Sequence, residues 1–328
     1  MDVNRRNFLG AGAAAGIAIV TGIVLPGIVK AEKEKTTLVT AGIITDMHHT
    51  TKEDTATRKY SASLHKMEIF INKMEQDKPS FVIEMGDFVD TPAKGTDPGK
   101  NLKEIETLFA SYEPHYHVLG NHEFNSLTRE FLLKSITNTG IPQGTTWYSW
   151  DAGGVHFIVL DADYIPKVPH RPYDMKTPED SFWTWRDTFV PPVELEWLTK
   201  DLASTSLPTV VFTHQTLDRV DEQDHNIKNA SEVRKIFEES GKVLAVFSGH
   251  DHQGGYSNIK DIHYVVLNGN VSVNDSRSWE ITSRENGFGK VKDNQFALLK
   301  IDALGEKSYR LAVNGFGRQP SYELVRVL

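Results

Sequence analysis

The chain has 328 residues, of which 39% are hydrophobic and 10% aromatic, so it can bury a large core and is not predominantly disordered. It contains no cysteine, which excludes disulfides, thiolate metal sites and a catalytic cysteine. The formal net charge of −8 argues against a broad electrostatic surface for nucleic acid.

The first 31 residues have the layout of a twin-arginine signal peptide. Arg5 and Arg6 precede an uncharged stretch at residues 9–29, and Ala31 offers a small residue at the cleavage point. The stretch approaches the ~20 residues that span a bilayer, so a retained membrane anchor is the alternative. We expect residues 1–31 to be a leader read by the twin-arginine export machinery, giving a periplasmic or extracellular protein. Residues 32–328 are expected to form one domain.

Strands and helices alternate along the rest of the chain. A buried strand is predicted at 37–44 and a helix at 58–76, where Leu64, Met67 and Ile71 recur at three- and four-residue spacing. The next predicted elements are strand 81–85, helix 101–111, strand 115–119, helix 127–136, hairpin 147–150 with 155–161, helix 194–202, strand 209–212, helix 230–239, and strands 243–247, 262–267, 296–301 and 308–313. Residues 164–192 hold six prolines and predict a long surface loop. The pattern indicates an α/β protein.

Five of the predicted strands end in side chains that can bind metal. These clusters are Asp46-Met47-His48, Gly86-Asp87, Gly120-Asn121-His122-Glu123, Thr213-His214 and Gly249-His250-Asp251-His252. A single cluster would mean little, because a lone His or Asp in a loop is usually a cap or a surface residue. Functional groups of open α/β sheets lie beyond the carboxyl ends of the strands, so five clusters in succession predict one shared site.

The clusters supply oxygen and nitrogen donors and no sulfur. The candidate metal ligands are Asp46, His48, Asp87, Asn121, His214, His250 and His252. Such a donor set suits Mn, Fe or Zn. Seven ligands are too many for one ion with an open position, and they fit two ions about 3.5–4 Å apart that share one carboxylate. The sequence therefore predicts a dinuclear centre of the kind that serves phosphoryl transfer.

The five clusters, in order, resemble the motifs of the calcineurin-like metallophosphoesterase superfamily. The family pattern D-x-H, G-D, G-N-H-[DE], H and G-H-x-H is matched over about residues 38–328. The resemblance implies a four-layer αββα sandwich, with two mixed β-sheets flanked by helices. It also implies a catalytic domain that cleaves phosphoester or phosphoanhydride bonds with metal-activated water.

The resemblance also implies a role for each site residue. One ion would be bound by Asp46, His48 and His252, the other by Asn121, His214 and His250, with Asp87 as the bridge. His122, which the resemblance does not assign to a metal, would assist departure of the leaving-group oxygen. Asp90 would orient His122; a helix or turn cap is the alternative role for this carboxylate.

Three segments resemble a narrower group, the manganese-dependent ADP-ribose/CDP-alcohol diphosphatases. These are Gly120–Phe124, Gly249–Tyr256 and Gly315–Tyr322. That group often has Gln at the position of His48. Asp90 stands where purple acid phosphatases have a metal-binding tyrosine, and Thr91 follows where Ser/Thr protein phosphatases have arginine. We therefore expect a small phosphate ester or a nucleotide-like substrate and no extended nucleic acid.

Two other functions stay open at this stage: an exported nuclease of the same superfamily, and a metal-bearing binding protein without activity. The acidic charge disfavours the first and the presence of His122 disfavours the second. The remaining strand histidines, including His115, His117 and His156, are expected to be structural. Trp183 and Trp185 would pack the long loop or stack on substrate, and Arg171, Arg277 and Arg318 are possible phosphate contacts.

Overall fold

The computed structural model describes residues 35–174, 185–221, 223–273, 281–285, 288–291 and 294–328. The predicted leader at residues 1–31 lies outside these ranges, as do Trp183 and Arg277. Every helix within the described ranges is too short or too polar to cross a membrane.

The elements alternate between strand and helix through most of the chain. The strands are β1 (Thr36–Ile44), β2 (Phe81–Glu84), β3 (His115–His117), β4 (Tyr148–Ala152), β5 (Val155–Val159), β6 (Thr209–Thr213), β7 (Val243–Ser248), β8 (Gly255–Ile259), β9 (Ile262–Val266), β10 (Ile281–Glu285), β11 (Phe288–Val291), β12 (Phe296–Ala303), β13 (Ser308–Phe316) and β14 (Tyr322–Val327). The α-helices of the described ranges are α1 (Ser63–Asp77), α2 (Pro98–Phe109), α3 (Arg129–Ser135), α4 (Pro192–Ser204) and α5 (Ala230–Ser240).

Most strands belong to two six-stranded mixed sheets. The first has the order β14-β13-β12-β1-β2-β3, in which β1, β2 and β3 are parallel and the other pairs antiparallel. The second has the order β4-β5-β6-β7-β9-β8, with a parallel centre and antiparallel edge strands β4 and β8. β10 and β11 pair separately.

The strand pleat assigns alternate side chains to different hydrophobic layers. In β2, Phe81 and Ile83 pack into the core between the sheets, whereas Val82 faces the layer that contains α1, α2 and α3. In β6, Val210 packs into the same inter-sheet core, whereas Val211 faces the layer of α4 and α5. Because successive strand residues point to opposite faces, these short strands are buried on both sides and read as continuous apolar runs. The result is the predicted αββα layering.

One predicted helix starts later than expected. The 58–76 prediction fails at its beginning, because α1 starts only at Ser63. The Arg58 N–H donates to Thr55 Oγ1 at 3.0 Å, and the Lys59 N–H donates to the Val271 carbonyl at 2.9 Å. These bonds hold residues 58 and 59 in a loop against residue 271, so tertiary contact overrides helical periodicity.

Four strands, namely β8, β10, β11 and β14, lie outside the strands predicted from the sequence. Half-buried and exposed positions alternate along β8, and β14 has a single buried position; each strand forms one edge of its sheet. An edge strand needs no continuous apolar run, so neither segment resembles the buried strands by which the others were recognised.

Candidate metal centre

The candidate ligands lie in the loops that follow five strands. Asp46 and His48 follow β1, Asp87 follows β2, Asn121 and His122 follow β3, His214 follows β6, and His250 and His252 follow β7. The first two loops stay hydrogen-bonded beyond the strand ends: the Asp46 N–H donates to the Gly86 carbonyl at 3.0 Å, and the His48 N–H to the Asp87 carbonyl at 2.8 Å. This loop ladder holds the side chains of both loops next to one another.

The first donor group joins the two sheets. Its members are Asp46, His48, Asp87 and His252, whose potential ligand atoms all lie within 4.8 Å of one another. His252 Nε2 is 3.1 Å from Asp46 Oδ1 and 3.2 Å from His48 Nε2. Donors bound to one ion at about 2.0–2.2 Å are separated by roughly this distance.

The second donor group shares Asp87 with the first. Asp87, His214 and His250 offer ligand atoms within 4.8 Å of one another. Asp87 Oδ2 is 3.2 Å from His214 Nε2 in this group and 3.5 Å from His48 Nε2 in the first. One carboxylate oxygen therefore faces both groups, as a bridging ligand must.

Several of these side chains have buried polar atoms that lack a hydrogen-bond partner. They include Asp46 Oδ1, Asn121 Oδ1, His214 Nε2 and both ring nitrogens of His250. Leaving such an atom unpaired costs about 1–3 kcal/mol, and a bound cation would remove that cost. The donor set therefore fits a pair of metal ions.

The surrounding hydrogen bonds orient the histidine rings toward this space. His214 Nδ1 donates to the Met85 carbonyl at 2.7 Å, and His252 Nδ1 is hydrogen-bonded to Ser272 Oγ at 2.7 Å. The carbonyl only accepts, so the first bond fixes a proton on His214 Nδ1, and both bonds turn Nε2 toward the carboxylates. Metal-binding histidines are usually held in this way.

The ligand loops have a strained backbone. Asp46, His48, Asp87 and His250 have φ values of 54°, 46°, 53° and 64°, in the left-handed region that side chains other than glycine seldom adopt. Such strain persists where the surrounding structure enforces it, and it is concentrated at functional sites. Gly120 has no space for a side chain, because a Cβ atom there would overlap the backbone nitrogen of Asp87.

Charges within the centre leave Asp87 and His250 ready for metal binding, whereas His214 would have to release a proton. Burial lowers the pKa of His214, but Asp87 outweighs burial and raises it well above its ordinary value. Burial alone would raise the pKa of Asp87, but His214 and His122 hold it well below its ordinary value, so this carboxyl is ionised. Burial and the neighbouring His214 hold the pKa of His250 well below its ordinary value. A neutral ring at position 250 keeps a lone pair for a cation.

His122 lies beside the donor groups and contacts Asp90. His122 Nδ1 is 3.3 Å from Asp90 Oδ1, and its ring stands edge-on to His48 with 4.4 Å between centroids. The His122 side chain is 22% exposed, whereas that of Asp90 is 3% exposed. Asp90 also accepts the Thr91 N–H at 2.6 Å, so this carboxylate combines a turn contact with a contact to His122.

Sequence reasoning missed several residues of the open side of the centre. A cavity of about 690 Å³ is lined by Arg58, His225, His250, His252 and Arg318, among others. The His225 ring centroid is 5.0 Å from that of His250, and the Trp185 centroid is 4.6 Å from that of His225. Of the possible phosphate contacts, Arg318 thus borders the site. No local pattern marks Arg58 or His225, and only the fold brings them here.

Comparison with known proteins gives one family and several similar chains. A model described as calcineurin-like phosphoesterase matches residues 39–254. The manganese-dependent ADP-ribose/CDP-alcohol diphosphatase of Xenopus laevis is 23% identical over 308 residues, covering 75% of this chain and 84% of the relative. The Homo sapiens protein of the same name is 27% identical over 273 residues, covering 67% and 79%.

Solved structures share the architecture at low sequence identity. A dimetal phosphatase from Danio rerio matches with a TM-score of 0.64 and 18% identity, covering 88% of this chain and 99% of that one. A purple acid phosphatase from yellow lupin matches with a TM-score of 0.54 and 15% identity, covering 90% and 54%. These likenesses concern the fold, and they confirm the fold class expected from the sequence.

Proposed function

The chain belongs to the calcineurin-like phosphoesterase family, and on that basis we propose that it hydrolyses a small nucleotide-like diphosphate at a centre of two metal ions. Metal-dependent phosphoester hydrolysis follows from the family and from the diphosphatases it resembles. The observation that carries the dinuclear assignment is the position of Asp87, whose Oδ2 faces both donor groups at 3.2 and 3.5 Å.

The proposed division of ligands follows the two donor groups. One ion is assigned to Asp46, His48 and His252, and the other to His214, His250 and Asn121, whose buried Oδ1 has no hydrogen-bond partner, with Asp87 between them. Mn, Fe and Zn all accept such oxygen and nitrogen donors. When bound, two such ions polarise the phosphoryl oxygens and activate water for in-line attack.

His122 is assigned to the leaving-group side of the reaction. Its ring is partly exposed, and Asp90 Oδ1 lies 3.3 Å from Nδ1, a contact that orients the ring. The second ring nitrogen can then donate a proton to the departing oxygen. Asp90 contributes by holding the ring, and it is itself fixed by Lys52 Nζ at 3.1 Å.

The cavity beside the centre suits a nucleotide-like molecule. Its volume of about 690 Å³ lies within the range of small-ligand sites. Arg58 and Arg318 place positive charge on its wall, where a second phosphate would be stabilised. His225, backed by Trp185, offers an aromatic surface for a base or a sugar.

The substrate assignment is tested by a panel of phosphate compounds with the metal-loaded protein. ADP-ribose, a CDP-alcohol, p-nitrophenyl phosphate and single-stranded DNA are each assayed with Mn, Zn or Fe and with a chelator. We expect the two pyrophosphates to be cleaved with the highest kcat/KM and the chelator to abolish turnover. Preferential cleavage of DNA would instead identify a nuclease, and turnover unaffected by chelation would refute the metal mechanism.

We further propose that residues 1–31 direct export through the twin-arginine route. The paired Arg5 and Arg6 before an uncharged stretch support this assignment. Export should stop when both arginines are changed to lysine. Amino-terminal sequencing of exported protein should begin at residue 32, and a sequence that begins at Met1 would indicate a retained anchor.

A further inference from the structure

A third group of potential ligands lies outside the seven-residue set. It consists of His115 and His117 on β3 and Glu106 on α2, with donor atoms within 4.8 Å of one another. All three residues are buried. Because the two histidines are two residues apart on a strand, their side chains project from the same face, which here faces α2. Both rings pack edge-on against Phe109 of α2.

The protons of both rings are fixed away from Glu106. His117 Nδ1 is 2.8 Å from Glu84 Oε1, and His115 Nδ1 is 3.0 Å from the Tyr112 carbonyl. A carbonyl oxygen only accepts, so His115 Nδ1 carries the hydrogen. The carboxylate of Glu84 imposes the same tautomer on a neutral His117 ring. Both Nε2 lone pairs are then available, in the arrangement by which carboxylates and carbonyls orient metal-binding histidines.

The atoms that would receive a cation are incompletely satisfied. His117 Nε2 is 3.2 Å from Glu106 Oε2, yet both atoms are buried and neither completes a hydrogen bond. His115 Nε2 meets Thr137 Oγ1 at 3.2 Å, and that hydroxyl can rotate away. Apart from a proton on His117, the described residues place no positive charge between the rings and the carboxylate.

Charge balance in this buried region also favours a divalent cation. Glu84 and Glu106 flank His117, and a proton on the ring cancels only one of the two negative charges. A divalent ion on the neutral ring cancels both. The proton is its competitor: burial lowers the pKa of His117, but Glu106 and Glu84 outweigh burial and raise the pKa to about 10. Nearby, Glu113 is 3.2 Å from His115, while Lys103 is exposed.

The group can be reached from solvent. A cavity of about 500 Å³ is lined by Lys103, Glu106, Thr107, Phe131, Ser135 and Thr137. The cavity wall thus includes Glu106 of the donor group and Thr137, whose hydroxyl contacts His115 Nε2. A bound ion would keep an open position toward this cavity for water.

We propose that Glu106, His115 and His117 form a third metal site, selective for a divalent transition ion of the Zn²⁺ class. Two imidazoles and a carboxylate with one open position form a common zinc donor set. The site is connected to the dinuclear centre through Glu84, whose Oε2 accepts the Gly86 N–H at 3.0 Å. Gly86 directly precedes Asp87, so an occupied third site would steady the loop that holds the bridge.

The stoichiometry of zinc tests the proposal. The full chain is saturated with Zn²⁺, dialysed, and analysed for metal content. We expect three ions per chain for the wild type and two for His115→Ala and Glu106→Gln. The matched control is His156→Gln, because His156 is also a strand histidine between two carboxylates, Asp151 and Asp201, at 2.6 and 2.8 Å. It should keep three ions. A wild type with no more zinc than His115→Ala would overturn the proposal.

A second measurement separates this site from the dinuclear centre. In the Asp87→Asn background, added Zn²⁺ should still raise the melting temperature by about 5 °C or more. That increase should vanish in Asp87→Asn/His115→Ala. An equal increase in the two proteins would refute the third site, whatever their hydrolytic activity. Conversely, a wild type that binds the third ion without hydrolysing any phosphate compound would refute the proposed function alone.

Discussion

Within the described residues, histidines and carboxylates that could share a metal ion gather in two regions, and the backbone beneath them differs. At the dinuclear centre the ligands lie in loops, and Asp46 and Asp87 have left-handed φ angles. In the β3–α2 region, His115 and His117 lie on a regular strand and Glu106 on a regular helix. Strained loops cost folding free energy and are retained where ligand geometry requires them. Regular elements bring side chains together without that cost.

The two regions also differ in how their charges are balanced. At the centre, Asp46 and Asp87 face several rings, and buried atoms such as Asn121 Oδ1 have no partner at all. In the β3–α2 region, His117 lies between Glu84 and Glu106 and can hold a proton in place of a metal. His214 at the centre can likewise hold a proton, because Asp87 outweighs burial and raises its pKa, but the centre leaves more donor atoms unpaired than the other region does.

Removal of the proposed bridging carboxylate should produce the largest effect, at the dinuclear centre. Asp87→Ala should remove both ions and lower kcat by about 10³-fold or more, because the transition state loses its electrostatic stabilisation. Metal analysis and steady-state kinetics measure the two losses. Asp151→Asn, at a carboxylate that contacts only His156 among the described histidines, is the control and should match the wild type. Two retained ions with normal turnover would exclude the bridge.

A substitution at His122 should lower the rate of hydrolysis at the dinuclear centre without removing metal. His122→Ala should keep both ions and lose about 10²–10⁴-fold in rate on substrates with poor leaving groups. The loss on p-nitrophenyl phosphate should be smaller, because nitrophenolate departs without a proton. Parallel kinetics on both substrates, with metal analysis, measure this. Equal losses would exclude proton donation, and a lost ion would make His122 a ligand.

Glu84 connects the two regions and should give an intermediate effect. Glu84→Gln cannot accept hydrogen bonds from Gly86 and His117 with both side-chain atoms, as the wild-type carboxylate does at 3.0 and 2.8 Å. Metal affinity of the dinuclear centre should fall by about 10-fold, as for other residues that support ligands. Competition with a chelator measures the affinity. Exposed Glu130→Gln should change nothing, and an unchanged affinity in Glu84→Gln would mean that the regions are independent.

The smallest expected effect is a change in the pH dependence of stability of the metal-free protein. The pKa of His117 is raised to about 10 in the folded state, from an ordinary value near 6.5. Its contribution to stability is therefore complete below about pH 6.5 and is lost as pH rises toward 10. Between pH 7 and 9.5 the melting temperature of the metal-free wild type should fall by a few degrees more than that of His117→Gln. Parallel slopes would show that His117 is not charged in the folded protein.

The dinuclear centre could be anticipated because its signals are local. Each ligand loop follows an apolar strand directly, so residues such as Asp87 and His214 could be recognised once five such clusters were found in succession. The α/β class followed from the alternation of strands and helices, whereas the αββα sandwich was implied by the family resemblance. The role of Asp90 stayed open, because the sequence alone does not distinguish an aspartate that caps a turn from one that orients His122. The structure shows both contacts for this carboxylate.

Other features depend on contacts between distant parts of the chain, which no short segment of sequence indicates. His225 and Trp185 reach the centre only because the loop after β6 and the segment before α4 fold toward His250. The histidines of β3 were expected to be structural, and nothing in His115-Tyr116-His117 indicates that Glu106 lies opposite. The late start of α1 has the same origin, because the bond from Lys59 to Val271 joins distant parts of the chain.

The loop ladder after β1 and β2 limits where residues can be inserted into this chain. Because the Asp46 and His48 N–H groups donate to the Gly86 and Asp87 carbonyls, a residue inserted into either loop would shift the register of both. Metal ligands on two strands would then be displaced together. The proline-rich segment at 164–192 holds none of the seven candidate ligands. An insertion in that segment would therefore leave the seven ligands in register, whereas an insertion in either of the two paired loops would displace them.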